Sequence, residues 1–136
     1  MLIGDRAYGR LKGLKYITDN GADYIVRLKS KAFTIFKDGQ QFVMRDEFNS
    51  LDMGQIGSWT VVGKTTDGIE LALRICAIRK SQQEADKSIK KALRAAKKKQ
   101  QKISQDSLAL HKYIILATSL DQTIITRLIL ELYRFR

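Results

Sequence analysis

The one residue in this chain whose type and setting suggest metal or acid chemistry at first reading is Asp5. It follows Leu2-Ile3-Gly4, a short apolar run that suits a buried strand, and precedes Arg6-Ala7-Tyr8-Gly9. A carboxylate at the C-terminal end of a strand stands where open α/β sheets bind ligands. The same Asp also suits the cap of a helix starting near Gly9, and local pattern leaves both readings open. Gly4 and Gly9 have the spacing of the two glycines of a phosphate loop, but Arg10 and Leu11 stand where Lys and Ser/Thr are required. The other chemical side chains are sparse. Cys76 is the single cysteine and His111 the single histidine, so the usual zinc ligand sets cannot be built. Cys76 lies in a strand-like run and reads as a buried small hydrophobe. His111 reads as a surface or strand-edge residue. Asp46, Glu47 and Asp52 read as solvated loop carboxylates. Trp59 alternates with Val61, which points to sheet packing rather than to a base-stacking platform.

The elements that position these groups follow from periodicity. Residues 9–20 predict a helix with Leu11, Leu14 and Ile17 on its apolar stripe and Asn20-Gly21 as its stop. Residues 22–29 alternate as a strand, with Tyr24, Val26 and Leu28 on one face. Lys37-Asp38-Gly39-Gln40 predicts a hairpin between 33–36 and 41–44, and Thr65-Thr66-Asp67-Gly68 a second between 59–64 and 69–78. Residues 45–58 read as loop or irregular edge, so the middle is antiparallel β of about five short strands. A basic helix over 82–102 follows, then a short amphipathic piece and a buried strand at 113–117. The last helix is expected over 122–136, capped by Asp121, with Ile125, Leu128, Ile129 and Leu132 buried.

Charge narrows the partner. The 136 residues carry net +11, and the pI is near 9.9. Residues 79–102 hold 10 basic and 2 acidic groups, whereas 1–78 hold 11 and 9. A partner rich in negative charge is implied, nucleic acid first and membrane surface second. No apolar run approaches the ~20 residues of a membrane span, and Leu2-Ile3 is too short for a signal peptide. Lys90, Arg94, Lys97, Lys98 and Lys99 are the candidate phosphate contacts, with backbone grip expected rather than base readout.

Four stretches then resemble one family: Gly4-Asp5-Arg6-Ala7-Tyr8-Gly9, Gly21-Ala22-Asp23-Tyr24-Ile25-Val26-Arg27-Leu28, Ile115-Leu116-Ala117-Thr118-Ser119-Leu120 and Leu132-Tyr133-Arg134-Phe135-Arg136. Together they resemble the DDE transposases of bacterial insertion sequences, in the insertion sequence four branch. The resemblance implies an α/β fold, a partial ribonuclease-H-like core of two parallel strands plus helices, interrupted by an antiparallel β insertion and a basic helix. Residues 1–21 would hold the strand and helix with the second catalytic Asp, 22–80 the insertion, 81–111 the basic helical segment, and 112–136 the last core strand and the start of the signature helix.

By the same resemblance Asp5 is the catalytic, metal-binding Asp. Tyr133 and Arg136 are the first half of a Tyr-x2-Arg-x3-Glu-x6-Lys signature; three apart on a helix, they share a face from which to grip a phosphate. Tyr113 is the nearest aromatic for a flipped base. The implied reaction is DNA cleavage and strand transfer with two Mg²⁺ (or Mn²⁺) ions ~3.5–4 Å apart. The implied partners are transposon ends and target DNA, with a full-length protein dimeric on DNA and no membrane role, in a cytoplasmic, nucleoid-associated setting. The final helix lacks a stop signal and the chain begins within a strand, so both ends read as cut. The first Asp, the Glu and the Lys then fall outside the chain, which is expected to be inactive alone. The competing expectations are a non-catalytic basic nucleic-acid-binding module and a β-rich basic scaffold.

Overall fold

The computed structural model describes residues 1–4, 10–28 and 33–134. Its elements run β1 (Leu2–Gly4), α1 (Leu11–Asp19), β2 (Tyr24–Arg27), β3 (Thr34–Lys37), β4 (Gln40–Gln41), α2 (Met44–Phe48), β5 (Ile56–Lys64), β6 (Glu70–Arg79), α3 (Gln82–Lys98), α4 (Gln105–Leu110), β7 (Tyr113–Thr118) and α5 (Thr126–Arg134). The strands form one mixed sheet in the order β1-β2-β7-β6-β5-β3-β4. None of the described helices is long and apolar enough to cross a membrane.

The only parallel pair among the described strands is β1 with β2, in register Leu2↔Tyr24 and Gly4↔Val26. The resemblance puts Tyr24–Arg27 in the insertion and makes the 113–117 strand the last of the core. In the structure β7 instead lies antiparallel to both neighbours, with Ile25↔Thr118 on one side and Arg79↔Tyr113 on the other. Chain reach explains the difference. Helix α1 has nine residues, enough to cross the sheet once and return the chain beside β1 in the same direction.

Both hairpins form as their turn residues demand. Asp38 and Gly39 have φ of 52° and 80°, the pair of positive values that a two-residue primed turn requires, and β3 and β4 pair around them. β5 and β6 pair from Ile56↔Ile78 to Lys64↔Glu70. The span 45–58 is not all loop. Met44 and Phe48, four apart, put two buried side chains on one side of α2, and Asp46 and Glu47 favour its positive N-terminal end. A five-residue helix is too short to leave a periodic signature, which is why spacing missed it.

Strand alternation sends side chains to two cores. On one face Tyr24, Val26, Leu73, Ile75, Ala77, Tyr113, Ile115 and Ala117 pack with Leu11 and Leu14 of α1, Phe48 of α2 and Leu110 of α4. On the other, Ile25, Cys76 and Leu116 pack under Ile129, Leu130 and Tyr133 of α5. Cys76 is buried as expected, and burial pushes its thiol up from the ordinary range. The first core centres on rings. Phe48 lies 5.1 Å from Trp59, 5.3 Å from Tyr113 and 6.4 Å from Phe42 between ring centroids. Gly57 makes room for this, since a Cβ there would overlap the Trp59 ring.

Helix α5 departs from its expected form. It starts at Thr126 rather than 122, and its buried residues are Ile129, Leu130 and Tyr133. Ile125 and Leu128 are 65% and 41% exposed. Asp121 does not cap a helix at 122. Its carboxylate accepts from the Thr123 backbone N–H at 2.9 Å and from the Thr123 hydroxyl, which closes a turn and delays the helix.

The Tyr24 hydroxyl is fully buried without a hydrogen-bond partner among the described residues. Burial first, and then the negative charge of Asp23, push its pKa up. A raised folded value means that this group's contribution to stability is intact below the unfolded phenol value of about 10 and is lost as pH rises past it. Tyr24→Phe removes the orphaned hydroxyl and is expected to stabilise the fold by about 1 kcal/mol. Urea unfolding at neutral and alkaline pH checks both effects, the variant holding its stability better than the parent above pH ~10.

Candidate nucleic-acid interface

Helix α3 is the most charged element of the structure, and its ends are well specified. Ser81 is the N-cap, and its hydroxyl accepts from Glu84 N–H at 3.3 Å. Ser81-Gln82-Gln83-Glu84 has the sequence of a capping box. At the other end Gln101 N–H bonds to Ala96 C=O and Gln100 N–H to Lys97 C=O, the bond pair of a Schellman motif. Gln100 takes the left-handed position, with φ 54°. Lys97 and Lys98 lie in the last turn, where cations offset the negative end of the helix dipole. Part of this charge therefore stabilises the helix itself.

The rest is directed outward. Along seventeen residues only Ala85 is buried, with Ile89, Ala92 and Ala96 half-buried. At about 3.6 residues per turn these four fall on one stripe. Lys87, Lys90, Lys91, Arg94, Lys97 and Lys98 fall on the opposite side, within an arc of roughly 120° and about 16 Å long. All six are exposed. None is in an ion pair among the described residues, whereas Lys15, Lys37, Arg45 and Lys64 each are. Lys99, at the C-cap, is exposed but lies off the arc. The structure thus gathers Lys90, Arg94, Lys97 and Lys98, and adds Lys87 and Lys91. Lys80 steadies the base of the helix by donating to Ser88 Oγ at 2.7 Å.

The two aromatic site candidates lie in the cores. Tyr113 is 6% exposed, and its hydroxyl donates to Phe48 C=O at 3.1 Å. With its ring against Phe48 and its hydroxyl committed, it presents no face to a flipped base. Tyr133 is 5% exposed and packs in the second core beneath α5, so it does not share an outward face for phosphate. The rotation of α5 that exposes Ile125 and Leu128 is what turns Tyr133 inward. Asp5 and Arg136 lie outside the described residues. The N-cap position of α1 is occupied by Arg10, without a side-chain cap. Among the described residues no group of three or more His, Cys, Asp or Glu is placed to hold a metal ion. Asp46, Glu47 and Asp52 are exposed, as expected of solvated carboxylates, but Asp46 and Glu47 lie on α2 rather than in a loop.

Sequence reasoning missed Arg74. It is 6% exposed and sits on the α5 side of β6. Its Nε donates to Ser58 Oγ at 2.7 Å, Nη1 to the carbonyls of Asp121 at 2.8 Å and Ile124 at 2.6 Å, and Nη2 to Thr126 Oγ1 at 2.8 Å. This side chain fixes the turn that sets the start and rotation of α5. Beside it is a cavity of about 220 Å³ edged by Thr60, Thr118, Ser119 and Gln122. The Thr123 bonds, with a smaller contribution from Arg74, hold the Asp121 carboxyl below its ordinary range. One signal was available: Arg74 interrupts the apolar run from Leu71 to Ile78, at a position that a central strand turns inward.

No protein-family model, curated protein or solved structure matches this chain.

Proposed function

We propose that this is a nucleic-acid-binding α/β domain whose α3 grips DNA by its phosphates. The observation that carries this is the arc of six exposed cations on α3, opposite the stripe of buried Ala85 and half-buried Ile89, Ala92 and Ala96, and without ion-pair partners among the described residues. Each phosphate such a helix neutralises releases condensed counterions.

Within that class, the residue pattern favours a piece of the catalytic domain of a DDE transposase of the insertion sequence four family. The parallel unit β1-α1-β2, with Asp5 next after β1, would supply part of a ribonuclease-H-like core. The strands from β3 onward would form the β insertion. In that reading α5 carries the start of the signature helix, with Tyr133 as its packing anchor and the phosphate grip left to α3. Mg²⁺ in a complete site of this kind activates the attacking oxygen and steadies the leaving one. The described residues, which do not include Asp5, do not fit a two-metal centre by themselves, because no group of three or more His, Cys, Asp or Glu among them is placed to hold a metal ion.

Two measurements test the two levels. Duplex DNA affinity should fall with salt, with a log–log slope of about −0.9 per phosphate contacted, and replacing Lys90, Lys97 and Lys98 by alanine should flatten that slope by about 2–3. A slope unchanged by the triple variant removes the phosphate grip. On transposon-end DNA with Mg²⁺ the chain alone is expected to be inert. Robust nicking abolished by Asp5→Ala would overturn that expectation, and Asp5→Ala should leave binding unchanged.

A further inference from the structure

We infer that α3 seats in the major groove of duplex DNA, with Arg94 facing the base edges and the lysines on either side of it holding the two bordering phosphate strands. This rests on the proposal that α3 is the nucleic-acid grip, and deepens it by fixing how the helix meets its partner. At about 3.6 residues per turn, Arg94 falls at the middle of the cationic arc, directly away from the stripe of buried Ala85 and half-buried Ile89, Ala92 and Ala96. Lys90 and Lys97 lie on one side of it, and Lys87, Lys91 and Lys98 on the other. The six-residue set is therefore ordered, with the one guanidinium at the crown and ammonium groups on both flanks.

That order matches what a groove offers. A helix with its side chains is about 10–12 Å across, and the B-form major groove is about 12 Å wide. Lysine is a flexible point charge suited to phosphate, whereas arginine is a rigid fork that matches the paired O6 and N7 acceptors of guanine. The A-form major groove is too narrow for side chains to read, so duplex RNA is disfavoured. No aromatic residue lies on α3, so a stacking mode for single strands is absent from this helix. The crown is free to enter a groove because Arg94 and the five lysines around it are all exposed, and Leu93 on the flank is still 46% exposed.

The test uses the full chain and a short guanine-containing DNA duplex, compared with the same duplex in which 7-deazaguanine replaces guanine. This change deletes the N7 acceptor and leaves the phosphates untouched. Fluorescence anisotropy should give about tenfold weaker binding to the substituted duplex. Arg94→Lys, which keeps the charge at an exposed position, should bind both duplexes alike and near the weaker level. Equal binding of both duplexes by the parent chain overturns the groove assignment while leaving the phosphate grip standing. Equal or tighter binding of duplex RNA of the same sequence also overturns it. Failure to bind any duplex removes the functional reading together with this one.

Discussion

Arg74→Ala is expected to lower the stability of the fold by about 3–5 kcal/mol. The guanidinium is buried, and the four oxygens it serves belong to Ser58 of β5 and to the 121–126 turn that leads into α5, two elements otherwise linked by the exposed Gln122–Thr60 bond. Hydrogen bonds from a charged donor contribute about 1.5–3 kcal/mol each, and an orphaned buried acceptor costs about 1–3 kcal/mol. Against this stands the cost of burying a cation without an ion pair among the described residues, which offsets much of the gross gain. Deleting the side chain removes the donors and leaves the oxygens, so loss dominates. Arg74→Lys keeps the charge but not the fork, and should fall between alanine and the parent. Urea unfolding gives the free energies. Hydrogen exchange gives the location, with the amides of 126–134 losing protection first. A stability within about 1 kcal/mol of the parent for Arg74→Ala would contradict this account of the clamp.

Phe48→Ala should be comparably damaging, at about 3–5 kcal/mol. Phe48 is fully buried and touches Phe42, Trp59 and Tyr113. It also lies on a five-residue helix, which has little stability of its own without packing. Truncation opens a cavity walled by three rigid rings, and rings relax inward less readily than aliphatic chains. The result is measurable without a new probe, because Trp59 is the single tryptophan. Its emission should shift to the red as water reaches the space that Phe48 leaves, alongside a lower unfolding midpoint. An unchanged emission maximum with a loss below about 1 kcal/mol would mean that the cluster closes over the gap.

Legibility in the sequence followed the range of the forces involved. Asp38-Gly39 announced its turn because two neighbouring residues decide it. The regular steps of Ala85, Ile89, Leu93 and Ala96 announced α3 and its free face for the same reason, although Leu93 lies on the flank of the stripe and is 46% exposed. Trp59 was legible as a packing residue from its alternation with Val61. Pairing was harder. Whether Tyr24–Arg27 runs beside β1 or belongs wholly to the antiparallel block depends on where α1 returns the chain. The two tyrosines were harder still. A tyrosine at a helix end reads equally as a phosphate contact or as core. Tyr133 is decided by the rotation of α5, which Arg74 sets from fifty residues away through the Ile124 carbonyl. The resemblance pointed to Asp5 and Arg136, which lie outside the described residues, so the interface rests on α3.

The middle of the sheet has a consequence for how the molecule forms. β5 and β6 are joined by a short turn and can pair early, but β2 meets β7 only across a separation of about ninety residues, as the Tyr24–Ser119 bond marks. Closing so long a loop costs entropy before any contact repays it. The antiparallel block of β3 to β6 should therefore assemble first, with β7 docking on β6 and then capturing β2 and β1. In pulse-labelled hydrogen exchange, amides of 24–27 should gain protection after those of 70–79. Until that last capture, β7 presents an unpaired apolar edge, which makes the interval before closure the time at which this chain is most prone to pair with another copy of itself.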